Sequence, residues 1–128
     1  FILITVWILS ACSSDKEKKE ISTVAQTPRI AYKVQRSFPH DTKSFTQGFT
    51  IHNGKLYEST GQNNSWIGIV NISTGEADKK VTLPNQYFGE GITILNNKIY
   101  QLTWQSKIGF IYDLNTFKKL KDFSYTTE

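Results

Sequence analysis

Two stretches decide how this chain folds: Gln47-Gly48-Phe49-Thr50-Ile51-His52-Asn53-Gly54-Lys55-Leu56-Tyr57 and, 43 residues further on, Glu90-Gly91-Ile92-Thr93-Ile94-Leu95-Asn96-Asn97-Lys98-Ile99-Tyr100. Each is a β-type run broken by a pair of residues that tolerate positive φ, which is the pattern of a two-residue hairpin. Apolar matches such as Ile51 with Ile94 would arise in any two unrelated hairpins of a β-sandwich. The shared Gly, Thr, Lys and Tyr at fixed places would not, so the stretches are copies of one repeat. A second match, Val70-Asn71-Ile72-Ser73-Thr74 with Tyr112-Asp113-Leu114-Asn115-Thr116, comes at 42 residues, so one connecting loop is a residue shorter. Each unit then closes in an outer run, Lys79 to Leu83 and Lys118 to Phe123.

A repeat of about 40 to 45 residues built from about four short strands is a β-propeller blade. The fold class is therefore all-β, a β-propeller, with about two blades in these 128 residues. From Ile30 onward the chain is rich in Val, Ile, Tyr, Phe and Thr, punctuated by Asn-Gly, Thr-Gly and Asn-Asn pairs, and it has no helical periodicity. The run Arg29 to Phe38 has no partner before it and is expected to supply an outer strand closing the ring against the last blade. Blades bury their faces only against neighbours, so further blades are expected to follow Glu128, making this an N-terminal fragment.

Ahead of the blades lies an apolar run, Phe1 to Leu9, shorter than the roughly 20 residues needed to span a bilayer but suited to the core of a secretory signal. It ends in Leu9-Ser10-Ala11-Cys12, which resembles a bacterial lipobox; an ordinary signal peptide with an incidental cysteine is the alternative. Cys12 is the single cysteine, so no internal disulfide can form, and it is the candidate lipidation site. The expected organisation is a lipoprotein signal at 1–12, a polar tether at 13–29 and the N-terminal portion of a propeller at 30–128. Such a protein would be exported and anchored through its lipid to the bacterial cell envelope, facing the periplasm or the surface. The net charge of +4 is spread singly and in pairs rather than along a stripe, which argues against nucleic acid as a partner.

Candidate chemistry lies where each repeat begins, because the innermost strands of blades converge on the propeller axis. Those positions are Gln47, Glu90 and Glu128. Gln47 follows Phe45 by two places and Glu90 follows Phe88 by two, and each is followed by a glycine. Aromatic neighbours exclude water and shape a pocket. Desolvation raises the pKa of a carboxylate, as a general acid or base near neutral pH requires. A Glu beside Gly is also a common solvated loop residue, so spacing alone does not decide.

The segments Phe38-Pro39-His40-Asp41, Phe45-Thr46-Gln47-Gly48, Leu56-Tyr57-Glu58-Ser59-Thr60-Gly61, Tyr87-Phe88-Gly89-Glu90-Gly91-Ile92-Thr93, Leu102-Thr103-Trp104-Gln105 and Gly109-Phe110-Ile111-Tyr112-Asp113-Leu114 resemble the plant- and bacterial-type glutaminyl-peptide cyclotransferases. The resemblance implies a five-bladed propeller that converts an N-terminal glutamine of a peptide or protein into pyroglutamate and releases ammonia, an aminoacyl transfer needing no cofactor. It implies Glu90 as the acid/base, Gln47 as a polar contact to the substrate, and Phe45, Phe88 and Trp104 as pocket walls. Further polar and cationic groups are expected from later blades. The expected partners are glutaminyl peptides and, through the lipid, the membrane, with the protein acting as a monomer.

Metal chemistry is not expected, because His40 and His52 lack zinc-site spacing and read as surface residues. Asn63-Asn64-Ser65 and Asn71-Ile72-Ser73 match a glycosylation pattern that a lipobox makes irrelevant. The competing reading is a non-catalytic propeller lipoprotein serving as an assembly scaffold. Against it stands the placing of a Gln and a Glu among aromatics at equivalent axial positions.

Overall fold

Runs of β-branched and aromatic residues, each stopped by a turn residue, become eight strands in the computed structural model, which describes residues 27–127. The expectations for the signal segment, Cys12, the tether up to residue 26 and Glu128 lie outside the described residues. The first sheet runs in order β1 (Thr46–His52), β2 (Lys55–Thr60), β3 (Trp66–Val70), β4 (Ala77–Thr82). The second repeats it as β5 (Gly89–Leu95), β6 (Lys98–Thr103), β7 (Ile108–Asp113), β8 (Lys119–Ser124). All pairings are antiparallel between sequence neighbours, so each repeat is one meandering blade.

The hairpin turns fall where the sequence places them. Asn53 and Gly54 have φ of 48° and 72°, and Asn96 and Asn97 have 49° and 57°, the left-handed pair that a two-residue turn between twisted strands demands. The run Arg29 to Phe38, expected to close the ring against the last blade, forms no strand here and is exposed. A strand exists through its ladder partner, and no described strand pairs with it.

The core lies between the blades. Tyr57, Ile67 and Leu83 of the first pack with Ile99, Phe110, Tyr112, Leu114 and Phe117 of the second. Tyr57 stacks on Phe117 with ring centroids 6.2 Å apart. Each such side chain contributes about 1.5–3 kcal/mol on burial, so this seam holds the blades together. A polar chain crosses it too: the fully buried Gln101 donates from Nε2 to Ser59 Oγ at 2.8 Å and accepts the Tyr112 hydroxyl at 3.2 Å. The outward faces of both blades remain apolar and exposed at Phe49, Ile51, Leu102, Trp104 and Leu120.

Candidate active site

Gln47 and Glu90 sit in β-bulges. In β1 the pairing slips between Thr46 and Gly48, leaving Gln47 without a partner opposite, and in β5 it slips between Gly89 and Ile92, which frees Glu90 and Gly91. A bulge adds a residue to one strand and re-aims its side chain. The same irregularity at the same place in both innermost strands turns the two polar groups toward each other. Gln47 Nε2 donates to Glu90 Oε1 at 3.4 Å. The structure thus brings Gln47 and Glu90 together.

The three aromatics named from the sequence form a continuous edge-to-face row. Phe45 and Phe88 have centroids 6.1 Å apart, and Phe88 and Trp104 are 5.4 Å apart. Phe88 is set by close approach to Gly61, where a Cβ would lie 2.2 Å from the ring. Two backbone bonds frame the row: Gly61 N–H donates to the Phe45 carbonyl at 2.8 Å and Trp104 N–H to the Phe88 carbonyl at 2.9 Å. Phe45 and Trp104 are about half exposed, at 47% and 54%, so each offers a face to a ligand.

A cleft of about 460 Å³ opens beside Glu90 and is walled by Trp104, Gln105, Thr103 and Tyr125. Burial raises the Glu90 carboxyl above the ordinary carboxylate range, because the charged form loses hydration and, among the described residues, gains no cation in return. Only the part of this cleft near Glu90 and Trp104 is axial. The remainder matches the face of blade one on which β5 lies: Leu102 stands where Ser59 does, Thr103 where Thr60 does and Tyr125 where Leu83 does. It therefore has the form of a strand-binding face rather than of a ligand cavity.

Sequence reasoning passed over several residues around this site. Tyr125 lines the cleft and its hydroxyl donates to the Thr103 carbonyl. Glu58 is fully buried; its carboxylate accepts the Thr46 hydroxyl at 2.6 Å and His40 Nε2 at 3.1 and 3.2 Å. His40 is at the surface, as expected, yet it is engaged. The signal available was a glutamate in the middle of a strand, opposite Phe49, which must be paired if its face is covered. Among the described residues no three His, Cys, Asp or Glu side chains gather as a metal site would require.

Four-stranded meandering blades packed through an apolar seam, with bulged innermost strands presenting polar groups beside a row of aromatics, define a β-propeller-type protein. The sequence profile of glutamine cyclotransferases matches residues 3–128, and the chain belongs to that family. It is 39% identical over 94 residues to the glutaminyl-peptide cyclotransferase of Arabidopsis thaliana, covering 72% of this chain and 29% of that protein. A solved glutaminyl cyclase from Myxococcus xanthus superposes with a TM-score of 0.69 at 28% identity, over 75% of this chain and 40% of that one. The chain thus spans less than half the length of these relatives. Membership of this family does not favour the scaffold alternative.

Proposed function

We propose that the full-length protein cyclises N-terminal glutamine residues of peptides or proteins to pyroglutamate, with release of ammonia. The observation that carries the proposal is the bulge-presented Glu90, whose carboxyl is pushed up by burial, beside the Phe45, Phe88 and Trp104 row. The substrate's α-amine attacks its own side-chain amide carbon, forming a C–N bond. Glu90 takes the proton from the attacking nitrogen and gives it to the departing one. The amide C–N bond then breaks and ammonia leaves. One carboxylate serves both nitrogens because they are bonded to the same carbon in the tetrahedral intermediate. The aromatic row favours the folded-back conformer, a contribution of proximity, and Gln47, whose amide lies beside Glu90, offers a polar contact to the substrate.

No step in this scheme asks for a metal, so activity in the full-length protein should survive strong chelators. The decisive test is Glu90→Gln, which preserves shape and hydrogen bonding but cannot exchange a proton. Ammonia release from a glutaminyl peptide should fall in kcat by about 10²-fold to 10⁴-fold, the usual worth of a positioned acid/base, with KM nearly unchanged. A folded variant keeping more than about a tenth of wild-type kcat removes Glu90 from the role.

A further inference from the structure

The strand that carries Glu90 is held at its first residue by a side chain from the neighbouring blade. Ser65 lies in the loop between β2 and β3 and is 2% exposed. Its Oγ accepts the N–H of buried Gly89 at 3.1 Å and donates to the Gln62 carbonyl at 2.7 Å. The hydroxyl's one proton is spent within its own loop, which leaves a lone pair directed at Gly89. The loop is tightly wound, with Gln62 at φ 64° and Asn64 at φ 62°, and Ser65 N–H also donates to the Gln62 carbonyl at 3.2 Å. Gly89 has little room to shift, since a Cβ there would stand 2.4 Å from the Thr60 carbonyl oxygen.

The second blade supplies an internal comparison. The Ser65 carbonyl accepts the N–H of Leu83 at 2.7 Å, and in the next blade the Lys107 carbonyl accepts that of Tyr125 at 3.1 Å. Lys107 therefore takes the place of Ser65 in a loop one residue shorter. The backbone contact belongs to the blade fold and recurs. Among the described residues the hydroxyl contact occurs at the seam that precedes Glu90, and Lys107 at the equivalent place has no hydroxyl to offer.

We propose that Ser65 is a positioning residue for the reaction, fixing the bulged start of β5 so that the Glu90 carboxylate stays at the depth from which it serves the substrate's nitrogens. The inference rests on the cyclisation reading above. Without the hydroxyl, the Gly89 N–H is left buried with no acceptor, a state that proteins avoid by moving the group toward water. Glu90 is the next residue and moves with it. The burial that raises its carboxyl then relaxes, and the carboxyl returns toward the ordinary range.

The test uses Ser65→Ala and Ser65→Thr in the full-length protein. Ser65→Ala should lower kcat about tenfold, less than the loss that a full 1 Å misplacement brings, with KM little changed. The acid limb of the kcat/KM profile should move to lower pH, and the Glu90 carboxyl titration followed by ¹³C NMR should move with it. Ser65→Thr keeps the hydroxyl and should restore both. If Ser65→Ala does not fold, Ser65→Cys, close in size and a poor acceptor, carries the same expectation. A folded variant lacking the hydroxyl but matching the wild type in kcat and in Glu90 titration overturns the inference. Activity lost only in step with the folded fraction, with the titration unmoved, overturns it equally. A wild type that releases no ammonia from glutaminyl peptides sinks the cyclisation reading and this inference together. An active wild type with Glu90→Gln dead and Ser65→Ala unchanged sinks this inference alone.

Discussion

Gly61→Ala tests whether the aromatic row is held by steric fit. Gly61 is not among the residues with positive φ, so alanine meets no backbone penalty there and any effect comes from contact. The added Cβ would lie 2.2 and 2.3 Å from two ring atoms of Phe88, where carbon atoms ordinarily rest about 3.5–4.0 Å apart. The ring must therefore retreat by more than about 1 Å. It cannot do so freely, because Phe45 and Trp104 lie against it and its carbonyl is bound by the Trp104 N–H at 2.9 Å. Overpacking of this kind costs about 1–3 kcal/mol, and displacement of a substrate-positioning group by that distance lowers turnover by about 10²-fold. The measurements are ammonia release by the full-length enzyme and a urea midpoint at constant m-value. Adding Phe88→Leu should relieve the clash and recover stability without recovering turnover, since the aromatic face is gone. A Gly61→Ala enzyme with unchanged midpoint and unchanged kcat would show that Phe88 is not held by this contact.

Glu90→Gln should also alter stability with pH. The folded carboxyl is raised above its unfolded value by burial, so the stability this group contributes is fully present below the unfolded value and is lost as pH rises through the folded one. The variant should then be at least as stable as the wild type at pH 8, with the difference closing toward acid; a wild type clearly more stable at pH 8 contradicts the burial argument. His40→Ala leaves the buried Glu58 carboxylate with only the Thr46 hydroxyl and should cost about 1–3 kcal/mol. A double-mutant cycle with Glu58→Gln should recover part of that, and strictly additive values would deny the pairing. Cys12→Ala should abolish incorporation of labelled palmitate; unchanged labelling defeats the lipoprotein reading.

The hairpins were legible because a two-residue turn is decided locally. Asn53-Gly54 and Asn96-Asn97 can hardly be anything else, and a repeat that copies Gly, Thr, Lys and Tyr fixes the blade. The meeting of Gln47 with Glu90 followed from that repeat, since equivalent positions of adjacent blades are neighbours. The bulges were not legible, because no residue type announces them. Nor were Glu58, Gln101 and Ser65, which as polar residues in or beside strands read as solvent-facing. That inference holds for a sheet with one wet face, whereas Gln101 lies at a seam between two blades and Glu58 beneath His40. The run Arg29 to Phe38 was read as an outer strand from its place in the repeat, and the last blade against which it would pair is not among the described residues.

On the cyclisation reading, the contacts of Glu58 and Glu90 explain why a neutral partner suits Glu90. Glu58 has an imidazole beside it, with His40 Nε2 at 3.1 Å from its Oε1. Glu90 has an amide instead, and the amide is distant enough, at 3.4 Å, to bond only weakly. A cation at residue 47 would stabilise the carboxylate and pull its pKa down, making it a poorer base near neutrality. A second carboxylate there would raise one of the pair strongly and leave the two protons coupled. Glutamine does neither. Among the described residues it leaves burial as the influence that raises Glu90, and burial is set by the depth of a bulged backbone that Ser65 of the adjacent blade fixes through the Gly89 N–H. Among the described residues the upward shift of the Glu90 carboxyl is therefore a matter of strand position rather than of neighbouring charge.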